Sequence, residues 1–192
     1  MSKAVMLSIR PKWCEKIASG EKTIEVRKTR PKLDMPFRCY IYCTLQGCNE
    51  FFRVDLGRDV AKWNRGKWAD RKGKVIGEFT CDRIYEIQKR GIPENFDYCY
   101  LSLNEWGNDD IASEINAISA SCVSKGELNA YGARTPVLYG WHISDLRIYD
   151  APRELSEFTG LRNTRFGAAP YDIKRAPQSW CYAEAMEEGE TE

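Results

Sequence analysis

The sequence predicts an α+β protein that is mostly strand, with about five strands interrupted by short helices. Three observations predict this. Apolar and polar residues alternate with a period of two around 23–27, 75–85 and 136–150, the spacing of strands with two unlike faces. Helical signals are short and carry their own boundaries: Pro11 with Gly20, Ser102 with Glu105, and Ser124 with Glu127 ahead of Gly132. No internal repeat and no linker divides the 192 residues, so one domain is expected over 1–183, followed by a frayed acidic tail at 184–192.

Met6 to Ile9 reads as the first strand. Pro11 suits the first position of a helix, where its missing N–H costs nothing. Trp13 and Ile17 then form a small apolar stripe, and Gly20 supplies the left-handed stop. From Thr23 the period is two: Ile24 and Val26 point one way, and Thr23, Glu25 and Arg27 the other. Residues 29–36 hold Pro31 and Pro36 and read as a loop. Phe37 to Thr44 is apolar nearly throughout, as expected of a strand buried on both faces.

Residues 49–73 break the pattern. Phe51, Phe52, Trp63 and Trp68 are interleaved with eight cations counted through Lys74, against four carboxylates, a net +4. Such an insertion fits either phosphate and base contacts or aromatic anchors beneath solvated charges. Val75 to Tyr85 reads as a strand in which Gly77 marks a bulge or the close approach of another backbone. Glu78 on that strand calls for a cationic partner, an Arg or a Lys. Ile111, Ile115, Ile118 and Cys122 recur at helical spacing, and Ser124 opens a short helix through Leu128 and Tyr131. Pro136 to Asp150 reads as one strand region. The loop after it carries Arg162, Arg165, Lys174 and Arg175.

A net charge of +1 makes no case for nucleic acid by itself; local charge has to make it. No run of about 18 apolar residues is present, and Arg10 follows Met1 too soon for a secretory core. A cytoplasmic protein without membrane contact is therefore expected, its eight cysteines reduced. Cys43 and Cys48 are five apart, no C-x-x-C occurs and His142 is the one histidine, so neither a metal nor a cofactor is expected.

Lys22, Glu25 and Arg27 carry the chemistry. Held in a cleft, the carboxylate can accept from an exocyclic amine while the guanidinium forks onto a phosphate or purine edge. The same groups suit proton transfer, with Lys22 lowered in pKa and Glu25 as base. They also suit an exposed cross-strand ion pair worth about 0–1 kcal/mol. His142, between Trp141 and Ile143, reads either as a base or as a satisfied core or cleft histidine. Gln178 and Trp180 fit base recognition or a C-terminal plug equally.

Gly20 to Arg27 resembles the G-x-K-x-x-E-x-R signature of the ASCH domain, a branch of the PUA-like superfamily. Ser8-Ile9-Arg10-Pro11 resembles the family's first strand, and Gly77-Glu78-Phe79, Gly140 to Leu146, and Pro177 to Cys181 extend the resemblance toward a subgroup found in phage and prophage settings. It implies a PUA-like, mostly antiparallel β pseudo-barrel of about five or six strands with flanking helices, one over a barrel mouth. It also implies that the protein binds RNA or a nucleotide or modified-nucleobase small molecule. The implied ligand-binding set is Ser8, Arg10, Lys22, Glu25, Arg27, Glu78, Trp141, His142 and Trp180. The alternative implied by the family is a hydrolase acting on RNA or, like the amidohydrolases, on acetylated cytidine. Those enzymes use a Lys, a Thr three residues later, and a Glu. Here Glu25 stands in the place of that Thr, so the hydroxyl nucleophile is absent, and hydrolysis would need another route, with Glu25 as base on water and Lys22 beside it as the catalytic pair.

Overall fold

The computed structural model describes residues 2–45, 69–91, 98–102 and 117–186. These form eleven strands and three α-helices, an α+β protein as expected, with more strands than the five or six anticipated. They fall into two compact units, each discontinuous in sequence. Among the described residues no helix is long and apolar enough to cross a membrane.

The first unit comprises Met1–Ala18, Phe37–Thr80 and Asp145–Glu192. Its strands are β1 (Lys3–Ile9), β3 (Phe37–Cys43), β4 (Val75–Cys81), β8 (Ser144–Arg153), β9 (Thr159–Thr164), β10 (Gly167–Asp172) and β11 (Trp180–Glu184). They form a mixed sheet in the order β10-β9-β11-β1-β3-β4-β8, with β1 parallel to β3 and antiparallel to β11. Met6, Tyr40, Tyr42, Tyr149, Phe158 and Ile173 pack together as its core. Within the apolar run from Phe37, β3 (Phe37–Cys43) is buried at every position but Arg38, as its composition predicts. Helix α1 (Pro11–Ala18) buries Pro11, Cys14 and Ile17 and leaves Trp13 half-buried; Gly20 follows at φ +77°.

Gly77 marks a close approach of backbone, as expected. A Cβ there would stand 2.4 Å from the Arg147 carbonyl oxygen and 3.0 Å from Ile148 Cα. The region 136–150 is two strands, not one, because β7 (Val137–His142) ends at His142 in a second sheet and β8 joins this one. Residues 75–85 likewise divide at Asp82 and Arg83. Much of the loop expected after β8 is instead the hairpin β9–β10, exposed throughout from Arg162 to Ala168, a stretch without the alternation that a half-buried strand imposes. The C-terminal residues are tied down as far as Met186. Glu184 lies opposite Lys3, the Ala185 N–H donates to the Ser2 carbonyl (3.0 Å), and the Met186 N–H to the Tyr40 hydroxyl (2.8 Å).

The second unit comprises Ser19–Pro36 and Cys81–Ser144. Strands β2 (Ile24–Arg27), β5 (Ile84–Gly91), β6 (Tyr98–Ser102) and β7 (Val137–His142) form an antiparallel sheet in the order β2-β7-β5-β6. Helices α2 (Ala117–Ala120) and α3 (Lys125–Gly132) contribute Ala117, Ile118 and Leu128 to a core shared with Ile24, Val26, Ile87 and Leu138. The expected capping box opens α3: the Ser124 side chain accepts from the Glu127 N–H, and the Glu127 carboxylate accepts from the Ser124 N–H. Most of the basic, aromatic insertion, Ile111, Ile115 and the Leu103–Glu105 part of the other capping box lie outside the described residues; Ala69–Arg71 forms a 3-10 turn.

Candidate functional site

The site is built on β2 of the second unit. Ile24 and Val26 face the core with Ile87 and Leu138. The period of two therefore turns Glu25 and Arg27 to the opposite face, beside their cross-strand partners Trp141 and Tyr139. That face is not the solvated one the charges suggest. Lys22 is 1% exposed, Glu25 6%, Arg27 6% and Trp141 0%.

Burial obliges these charges to find partners. The Lys22 ammonium donates to the Ile24 carbonyl (2.7 Å) and the Ser121 carbonyl (2.7 Å), and its third contact is Glu25 Oε2 at 3.2 Å. The other Glu25 oxygen, Oε1, lies 3.0 Å from Arg27 Nη2. One carboxylate thus bridges two cations, and the trio is a buried ion cluster, in place of the exposed pair the spacing also allowed. Burial pulls the Lys22 pKa below the ordinary lysine range, and Glu25 beside it pushes back. Lys22 also ties the turn after α2 to β2, helped by the Thr23 N–H to Ala120 carbonyl bond (3.0 Å) and the Cys122 thiol on the Glu21 carbonyl (3.3 Å).

Beyond the cluster the chain emerges as Lys28-Thr29-Arg30, all exposed. Each cation lies over an aromatic ring: Lys28 Nζ is 5.0 Å from the centroid of Tyr131, and the Arg30 guanidinium 5.7 Å from that of Tyr139. Burial pushes the Tyr131 phenol above its ordinary value, and Arg27 and Glu25 act on it in opposite senses, so α3 and β2 share one electrostatic environment. Sequence reasoning passed over Lys28, Arg30, Tyr131 and Tyr139. The two cations directly after the motif were the available signal.

The other candidates divide between the units. His142 pairs across from Ile24, and its Nδ1 meets Asp82 Oδ1 at 2.6 Å, half-exposed at the turn between β4 and β5. Asp82 lies below the usual carboxylate range: burial raises it, and the hydrogen bond and charge of His142 outweigh that. Nothing in the Cys81-Asp82-Arg83 sequence signalled this partner.

Ser8, Arg10, Glu78 and Trp180 belong to the first unit. The Ser8 hydroxyl donates to the Pro177 carbonyl (2.6 Å), and the Arg10 carbonyl accepts from Trp13 and Cys14 at the start of α1. Glu78 takes a phenol rather than the expected Arg or Lys: Tyr149 donates to its Oε2 at 3.0 Å. Burial, then Glu78, holds the Tyr149 phenol well above its ordinary value. Trp180 lies opposite Leu7 and meets Tyr182 edge-on, ring centroids 5.3 Å apart.

The cluster holds the end of β2, from which Lys28 and Arg30 emerge, in place. Its carboxylate already bridges two cations, and three acceptors surround the Lys22 ammonium, an arrangement suited to fixed charge more than to proton traffic. Among the described residues no group of three or more His, Cys, Asp or Glu side chains converges as metal ligands do.

No protein-family model matches the chain, and no curated protein matches it. Among solved structures it is similar to the ASCH protein of Zymomonas mobilis, at 17% identity over 93% of this chain and 86% of that one, with a TM-score of 0.44. Two single-substitution variants of that protein match in the same way. One is 15% identical over 94% of this chain and 90% of that one, with a TM-score of 0.47. The other is 16% identical over 93% and 87%, with a TM-score of 0.44. The chain is thus similar, along about 94% of its length, to solved ASCH domain structures.

Proposed function

We propose that the protein binds RNA or a nucleotide-like ligand at the C-terminal end of β2, with Lys28 and Arg30 on the phosphates and Tyr131 and Tyr139 against the base. One observation carries this reading: two exposed cations separated by one residue, each laid over a tyrosine ring, just after a buried Lys–Glu–Arg cluster. Cations supply counterion-release affinity, and aromatic rings supply stacking that tolerates any base. The buried cluster fixes the end of β2, so these side chains lose less freedom on binding.

Binding is favoured over hydrolysis because of how the trio is committed. A nucleophilic amine needs an unshared pair, and Lys22 faces three acceptors. Where the acetylated-cytidine amidohydrolases carry a threonine, this chain carries the carboxylate that bridges Lys22 and Arg27.

The test is titration of nucleoside monophosphates and short single-stranded RNA, read by calorimetry, into the wild type, Arg30→Ala and Tyr139→Ala. Arg30→Ala should flatten the plot of log affinity against log salt by about 0.7, one phosphate on a single strand. Tyr139→Ala should weaken RNA binding by about 1–3 kcal/mol. Acetylated cytidine incubated with the wild type should be recovered unchanged by mass spectrometry. Absence of binding, or deacetylation that disappears in Glu25→Gln, would refute the binding reading.

A further inference from the structure

The first unit carries a surface that the β2 site does not use, the hairpin β9–β10 at the edge of its sheet. Every residue from Arg162 to Ala168 is exposed, and Phe166 at the tip is 85% exposed, its ring open to a partner.

The tip is held rather than left loose. The Thr164 hydroxyl donates to the Gly167 carbonyl (2.7 Å) and accepts from the Phe166 N–H (3.2 Å). Gly167, at φ +112°, takes the conformation that the turn requires. The Arg165 guanidinium lies 4.6 Å from the Phe166 centroid. Opposite Arg162, Asn163 and Thr164 the returning strand offers only Ala169, Ala168 and Gly167, so it sets no bulky side chain against Arg162. From 159 to 175 the charges are Arg162, Arg165, Lys174 and Arg175 against the single carboxylate Asp172. Lys3 adds a further cation through its hydrogen bond to Asn163 Oδ1 (3.3 Å).

We infer that the β9–β10 hairpin is a second nucleic-acid contact, in which Phe166 stacks on an unpaired base and Arg162 and Arg165 take the flanking phosphates. The charge selects a polyanion. A rigidly presented ring beside an arginine selects an unpaired base, whose face meets it without sequence preference. The inference rests on the nucleic-acid reading above and names its ligand: a single strand long enough to have its own contact here, which a mononucleotide is not.

The test is fluorescence anisotropy with a labelled single-stranded RNA of roughly 12 nucleotides, within the span such sites cover. The proteins are the wild type, Phe166→Ala, Arg162→Ala/Arg165→Ala, and Arg147→Ala as a surface cation on another strand. Phe166→Ala should weaken binding about tenfold, the loss of one base stack. The double variant should flatten the salt slope by about 1.4, two phosphates on a single strand. Arg147→Ala should bind the RNA like the wild type, and every variant should bind a nucleoside monophosphate as the wild type does. RNA binding equal to wild type in both hairpin variants would overturn the inference and leave the β2 reading standing. The same result with lost affinity for phosphatidylserine vesicles would assign the hairpin to a lipid surface instead. A wild type that binds neither RNA nor mononucleotide would overturn both readings.

Discussion

Replacing Lys22 by methionine keeps the volume and removes the charge. The ammonium makes three contacts, to the carbonyls of Ile24 and Ser121 at 2.7 Å each and to Glu25 at 3.2 Å. Without it, two buried carbonyls lose a donor, at about 1 kcal/mol or more each. Glu25 keeps Arg27 but loses the other of its two cations, at a side-chain exposure of 8%. Breaking a buried pair from one side costs about 3–5 kcal/mol, and the orphaned carbonyls belong within that figure. Against a total of about 5–15 kcal/mol, such a loss is large. Urea unfolding followed by tryptophan fluorescence would measure it, with Glu25→Gln and the double variant completing a cycle. The double variant should cost less than the sum of the singles by about 1–3 kcal/mol, because both remove the same contact. A loss below about 1 kcal/mol would refute the claim that Lys22 binds β2 to the turn after α2, and strict additivity would refute its coupling to Glu25.

Three further outcomes follow from the geometry. Gly77→Ala should destabilise by about 1–3 kcal/mol or more, since its Cβ meets the Arg147 carbonyl at 2.4 Å and backbone cannot step aside; urea unfolding checks it. Ser124→Ala removes the cap of α3 and should cost about 1 kcal/mol in the same assay, with Ser124→Asp restoring most of it. Burial pushes the Cys81 thiol up to about 12. The native state therefore holds that proton while the unfolded chain releases it near 8.5. The resulting stability is present below about pH 8.5 and is lost as pH rises toward about 12, so Cys81→Ala should show a shallower decline between about pH 8 and pH 10.

Sequence alone determined the local elements of this protein. Pro11 and Gly20 bounded α1, Ser124 and Glu127 capped α3, the apolar run from Phe37 placed a doubly buried strand, and Gly77 marked a backbone contact. The period of two at 23–27 also assigned Ile24 and Val26 to a core and Glu25 and Arg27 to the other face. Each of these is a statement about a residue and its near neighbours along the chain, which is what periodicity and capping record.

The partners of the polar groups were decided only by tertiary structure. Ser121 accepts from Lys22 across 99 residues, Tyr149 reaches Glu78 across 71, and Asp82 meets His142 across 60. A hydrophobic pattern specifies that a face is buried but not which donor lies within 3 Å of which acceptor; that follows from long-range register and crossing of elements. The same holds for the burial of Glu25 and Arg27, whose charge argued for solvent, and for the β9–β10 hairpin. From Arg162 to Ala168 it carries Arg, Asn, Thr, Phe, Gly and Ala in no alternating order, because the exposed tip has no buried face to encode, whereas Leu161 and Tyr171 nearer its base are packed.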